Sequence, residues 1–137
     1  MELTPIMDPE ALNRFLETDF PQLHTDGKVF EVMTVGPGTI TMRLQPNERH
    51  LRPGGTISGP TLFALADVGA WCAVLAHIGP IGLAVTTNLN INFLRKGQPG
   101  QDVLAEARLL KLGKRLAVGE VNLLSGTSPD PIAHVTS

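Results

Sequence analysis

Asp67 is the only formally charged residue between Arg52 and Arg95, and it lies in the most apolar stretch of the chain, GGTISGPTLFALADVGAWCAVLAHI. If that stretch is helical, the neighbours one turn away are Phe63, Ala64, Ala70 and Trp71, none of them basic. Burying a carboxylate among such residues with no cation to pair with is costly. Three explanations stand: a distant partner or backbone amides satisfy it, it sits at an exposed edge, or it is kept for chemistry. An acid in these surroundings suits a general base or a carboxylate nucleophile. A second element lies just before it. PGGTISGP brings small residues to a helix start, where free backbone N–H groups and the helix dipole can stabilise a developing oxyanion. The Gly59 amide is the best donor there and that of Ser58 a weaker one, whereas Pro60 has no N–H. The same residues also read simply as a good helix start.

These groups must be held by a long helix. Pro60 fits a first helical position with Ser58 or Gly59 as the cap, and Thr61–Ile78 is apolar on almost every side, the pattern of a buried helix. GPIG stops it. Upstream, MDPEALNRFLETDFP reads as a short helix over about 8–18. Asp8 is its cap, Pro9 its first residue, Glu10 favours the dipole, and Ala11, Phe15 and Leu16 form an apolar stripe. KVFEVMTVGPGTITMRLQP alternates as a hairpin about GPG, and PNERHLRPGG is a polar loop. After Gly82, LAVTTNLNINFLR predicts a strand over about Thr86–Leu94. DVLAEARLLKL and RLAVGEVNLL predict a second hairpin, and PIAHVTS a last strand. Helix, two strands, long helix, four strands is α+β with a mainly antiparallel sheet. One apolar helix needs cover on all sides. A curved sheet wrapped around it supplies much of that cover, and a second subunit can supply the rest.

Composition narrows the function. The 137 residues suit one domain over 1–137, and 42% apolar content supplies a core. Net charge is −2 with dispersed basic residues, and Tyr is absent, which argues against nucleic acid. Cys72, the only cysteine, has no internal disulfide partner and no metal-ligand spacing around it, and reads as a small buried hydrophobe. The start of the sequence has early acids and no apolar core of a signal peptide. The best membrane candidate, about Thr61–Ile78, is short and contains Asp67. The expectation is therefore a soluble cytoplasmic protein without a membrane partner. Its low charge also suggests that some surface is buried by self-association.

GTISGPTLFALAD resembles the signature of hotdog-fold acyl-CoA thioesterases of the phenylacetate-degradation (PaaI-like) type. TTNLNINFLRKG and GQDVLAEARLLKLGKRLAVGEVNL resemble that family's later strands, so the likeness spans roughly Val29–Thr136. It implies a hotdog fold, an antiparallel sheet wrapped around one long central helix. It also implies a homodimer, extending to a homotetramer in a dimer of dimers, with active sites at the subunit interface. The family's acid falls on Asp67, which would activate water or attack the thioester directly. Its oxyanion glycine falls on Gly59, its loop glycine on Gly55, and a water-holding Ser/Thr on or near Thr86. Three positions depart from the pattern. Arg52, Ser58 and Pro60 stand where the family has Asn, His and a second Gly. Arg52 offers a cation for an acid group on substrate or CoA, or a partner for Asp67, and Ser58 offers a hydroxyl.

The resemblance implies an acyl-CoA thioesterase acting on a small or aromatic acyl-CoA. Coenzyme A arrives as part of the substrate, with no separate cofactor and no metal. Arg95, Lys96, Lys114 and Arg115 are cations near strand ends that could meet CoA phosphates or be solvated charges. Trp71 could line an acyl pocket or pack in the core. His50 reads as a loop histidine and His77 as a dipole partner at the helix end. Two other functions compete. The departures at Arg52 and Ser58 suit a non-hydrolytic acyl-CoA or small-ligand binder on the same fold. A hotdog hydratase or dehydratase would pair its acid with a histidine, and none lies on the helix within one turn of Asp67.

Overall fold

The computed structural model describes residues 3–21, 29–46, 50–51, 56–79, 86–96, 101–113 and 115–137. Its elements are α1 (Pro9–Asp19), β1 (Phe30–Gly36), β2 (Thr39–Leu44), α2 (Gly59–Ile78), β3 (Asn90–Phe93), β4 (Val103–Leu112), β5 (Ala117–Ser125) and β6 (Pro131–Thr136). The six strands form one antiparallel sheet in the order β1-β2-β4-β5-β6-β3. It curves around α2, the hotdog arrangement expected above.

Strand alternation points one face of the sheet at the helix. Val103, Ala105, Ala107 and Leu109 of β4 are buried, as are Val121 and Leu123 of β5, and α2 packs on β2, β4 and β5. Small residues on both sides let helix and sheet approach closely. A Cβ built on Gly69 would lie 3.6 Å from that of Ala105. With 20 residues and a mean hydropathy of 1.7, α2 is long and apolar enough to cross a membrane, but here Leu62, Leu65, Cys72, Leu75 and their small neighbours pack into the core.

The helix is not buried all round, as its composition predicts. Phe63, Asp67, Ala70, Val74 and Ile78, at helical spacing, stay half-buried or exposed with Ala64 and Trp71 beside them. Sequence hydrophobicity does not distinguish a face covered by the chain's own sheet from one the chain leaves open.

Two further expectations are corrected. The buried stripe of α1 is Leu12 and Leu16, with Ala11 and Phe15 only half-buried. Asn13, next to Leu12, turns toward β1: its Oδ1 accepts from Val32 N at 2.8 Å and its Nδ2 donates to Val32 O at 3.0 Å. These bonds serve the irregularity between Val32 and Thr34 and fix how α1 lies on the sheet. β3 is also shorter than the predicted Thr86–Leu94. It pairs with β6, and that ladder ends at Asn90 opposite Thr136, so among the described residues no strand lies beside residues 86–89.

Candidate active site

The site begins at the first turn of α2. Ser58 is the cap; its hydroxyl accepts from Thr61 N at 3.3 Å and pairs with Thr61 Oγ1 at 2.7 Å. Gly59 and Pro60 are therefore the first two helical residues. Ser58 N donates to His50 O at 2.8 Å, and Leu62 N closes the first turn on Ser58 O at 3.1 Å. The Ser58 amide is thus spent and no longer a candidate oxyanion donor, and its hydroxyl is committed to the cap. Pro60 has no N–H, so the Gly59 amide is left without a partner among the described residues. Phe93 of β3 lies over it, with ring atom Cζ 3.3 Å from where a Gly59 Cβ would be.

Two turns further on, Asp67 occupies the open stripe of the helix. Among the described residues its partner is a hydroxyl: Thr86 Oγ1 donates to Asp67 Oδ1 at 2.6 Å. Thr86 is exposed and stands 19 residues along the chain, just before β3. This bond engages Oδ1, and among the described residues no partner reaches Oδ2.

Thr86 also lines a cleft of about 1090 Å³ that runs along the second half of α2. Ala70, Trp71, Val74 and Ile78 form its helix wall, and Leu112, Arg115 and Leu116 at the β4–β5 turn form part of the opposite wall. The cleft therefore reaches Thr86, the hydrogen-bond partner of Asp67, with Arg115 as a cation in its lining. Trp71 is held from behind by Phe15 and Phe20, each with its ring centroid 5.8 Å away. Its indole Nε1 is buried and has no hydrogen-bond partner among the described residues.

The other sequence candidates fall elsewhere or outside the described residues. Arg95 is exposed, and its Nη1 donates to Pro131 O at 2.6 Å, near the start of β6. Arg52, Gly55 and Lys114 lie outside the described residues. Lys96 is exposed. His77 accepts from Gly38 N through Nε2 at 2.9 Å, and its Nδ1 donates to Ala73 O at 2.8 Å. His77, in the last turn of α2, thus ties that helix to the β1–β2 turn. Among the described residues no group of His, Cys, Asp and Glu is placed to hold a metal ion. Two contacts escaped the sequence reading: Phe93 over Gly59, and Phe15 and Phe20 against Trp71. Both join residues far apart in sequence through packing that no short motif encodes.

The sequence profile of the thioesterase superfamily matches residues 54–131, which include both Gly59 and Asp67. The chain belongs to the thioesterase superfamily. A crystal structure of a Silicibacter sp. TM1040 protein inferred to be a thioesterase is similar at 49% identity and a TM-score of 0.89, over 98% of this chain and 91% of that one. A point variant of the phenylacetic acid degradation protein PaaI from Thermus thermophilus is similar at 26% identity and a TM-score of 0.68, over 90% and 94% of the two chains. Human acyl-coenzyme A thioesterase 13 is 27% identical over 109 residues, 79% of this chain and 76% of that protein. The chain spans from 65% to 76% of the lengths of the curated relatives it matches. The thioesterase superfamily and the likeness to PaaI agree with the type suggested by GTISGPTLFALAD.

Proposed function

We propose that this thioesterase hydrolyses an acyl-CoA, with Asp67 as the acid that activates water or attacks the thioester carbonyl. The observation that carries the reading is the 2.6 Å bond from Thr86 to Asp67 Oδ1 on the open face of α2, next to a cleft of about 1090 Å³ that Thr86 also lines. Hydrolysis needs a base or nucleophile at the carbonyl carbon and a donor at the carbonyl oxygen. Asp67 suits the first role, the Gly59 amide the second. Thr86 holds the carboxylate, and Arg115 in the cleft lining, with Arg95, Lys114 and Arg52, suits the phosphates of CoA. Gly55 belongs to the loop before the helix. Whether Asp67 acts as base or nucleophile is decided by trapping an acyl-enzyme in a single turnover.

Gly59 and Asp67 of one chain cannot serve the same carbonyl. Eight residues of α-helix separate them, about 12 Å along the axis, whereas the reacting carbonyl must lie about 3 Å from each group. A complete site therefore pairs Asp67 of one subunit with the partner subunit's Gly59. Two features support such a dimer. β3 is an edge strand of the sheet, with no strand on its outer side among the described residues, and the stripe of α2 that carries Asp67 is left open. A two-fold pairing through β3 suits both, and a dimer of dimers builds on it.

The test is thiol release from a panel of short, long, aromatic and hydroxylated acyl-CoAs. Asp67→Asn is expected to retain fold and oligomer and lose at least about a hundredfold in kcat, as for loss of a general base. Wild-type rates from that variant would end the reading. The second reading, a binder that does not hydrolyse, is favoured by one observation: the hydroxyl of Ser58, which stands where the family has His, is used up in capping α2. It predicts saturable acyl-CoA binding without thiol release.

A further inference from the structure

We infer that α1 is a specificity element: Phe15 and Phe20 brace the Trp71 ring as a fixed wall of the acyl site and so set which acyl groups fit. The inference rests on the thioesterase reading for the direction in which the substrate lies. Trp71 follows Asp67 by one helical turn, on the same open face. Thr86 ties the two places together, since it bonds Asp67 and also lines the cleft that Trp71 lines. An acyl group whose carbonyl is at Asp67 therefore enters the cleft past Trp71.

The brace has a defined geometry. The Phe15 ring meets Trp71 at 51°, and the Phe20 ring meets it edge-on at 71°, both in the range of favourable aromatic pairs. Phe15 lies in the second half of α1 and Phe20 at its C-terminal cap, and α1 supplies no group to the carboxylate or the amide. α1 is anchored independently of the aromatic contacts. Asn13 ties it to Val32 of β1, and the segment before it donates from Ile6 N and Met7 N to Ala76 O near the end of α2, at 2.7 and 3.1 Å. The ring is thus clamped from a rigid base.

Trp71 also bears a local cost. Its indole N–H is buried with no acceptor among the described residues, an arrangement that folding alone disfavours. A Phe or Leu at 71 would fill the same half-buried position without an orphan donor. A large, flat, braced ring kept at that cost is explained by what its other side does in the cleft: it narrows the entrance one turn from the reacting carbonyl and favours compact acyl groups over long or bulky ones.

The chain has one Trp and no Tyr, so indole emission reports Trp71 alone. In the Asp67→Asn protein, titration with phenylacetyl-CoA or decanoyl-CoA is expected to shift or quench that emission, and CoA alone to leave it unchanged. In the Asp67-intact protein, kcat/KM is measured for acetyl-, phenylacetyl- and decanoyl-CoA in wild type, Phe20→Ala, Phe20→Leu and Phe15→Leu. Phe20→Ala is expected to raise the decanoyl-to-acetyl ratio at least about tenfold, the scale of discrimination a reshaped apolar pocket delivers, with Phe20→Leu between it and wild type. An unchanged ratio with all three rates falling together would show a structural role only and overturn the inference. So would Trp71 emission that answers to CoA as it does to acyl-CoA. If Phe20→Ala fails to fold, the leucine variants and the emission titration decide. If wild type releases thiol from no acyl-CoA, the thioesterase reading fails, and the emission titration still judges whether Trp71 meets the acyl group.

Discussion

Thr86→Val removes the hydroxyl that holds Asp67 and leaves the shape of the side chain nearly unchanged. The bond is short, 2.6 Å, and its acceptor is a carboxylate. Hydrogen bonds to charged groups contribute about 1.5–3 kcal/mol. Thr86 is exposed in the single chain, and solvent competition puts the loss near the low end, about 1.5 kcal/mol, which corresponds to roughly tenfold in rate. Because the bond orients the acid and does not hold the substrate, the loss falls on kcat, with KM little changed. The assay is thiol release at saturating acyl-CoA with kcat and KM determined separately, alongside Thr86→Ser, which restores the hydroxyl and is expected to restore most of the rate. A Thr86→Val protein with kcat within about twofold of wild type and native thermal stability would refute the reasoning, because Asp67 would then need no orienting partner.

Cys72 is fully covered by the core, and burial pushes its thiol up to about 12. A thiol reagent at pH 8 is expected to leave native protein unlabelled and to label one equivalent in denaturant, so the thiol-release assay carries no background from the protein; rapid native labelling would contradict the packing of α2. Glu120 accepts from Arg108 and lies 3.2 Å from His134 Nε2, and these bonds, that from Arg108 foremost, hold its carboxyl below the ordinary value of 4.5. The ionised form therefore stabilises the native state in full above about pH 4.5, and this contribution is lost as pH falls through the lowered value. Glu120→Gln is expected to flatten the fall of Tm below pH 4.5; an unchanged acid limb would show that the cluster is not coupled to folding.

The parts of this protein that local chemistry dictates were legible in its sequence. Asp8 and Pro9 begin α1 as their residue types require, with Ala11 N donating to Asp8 Oδ1 at 2.8 Å, and GPG marks the turn of the first hairpin. The fold followed from one long apolar helix among alternating strands. Asp67 announced itself because a charge in an apolar stretch is costly, whatever surrounds it. What could not be read depends on contacts between distant segments. The open stripe of α2 has the same composition as its buried face, so only the sheet's position separates them. Residues 86–89 look like strand, but the β3–β6 ladder ends at Asn90 opposite Thr136. In sequence Ser58 reads as available for chemistry, but its hydroxyl is bonded to Thr61, and the ring of Phe93 reaches Gly59 only because β3 returns beside the start of α2.

If Asp67 works with the partner subunit's Gly59, as proposed, mixing two inactive proteins tests the pairing most directly. Asp67→Asn removes the acid. Gly59→Pro removes the amide N–H at a first helical position, where proline is tolerated, and the extended backbone of Ser58, φ −70° and ψ 148°, suits a following proline. If each site draws on both subunits, a mixed dimer contains one site with intact Asp67 and intact Gly59, and an equimolar statistical mixture recovers about a quarter of wild-type thiol release. If both groups of a site came from the same chain, every site in the mixture would lack one of them, and activity no higher than that of the two separate variants would contradict the claim.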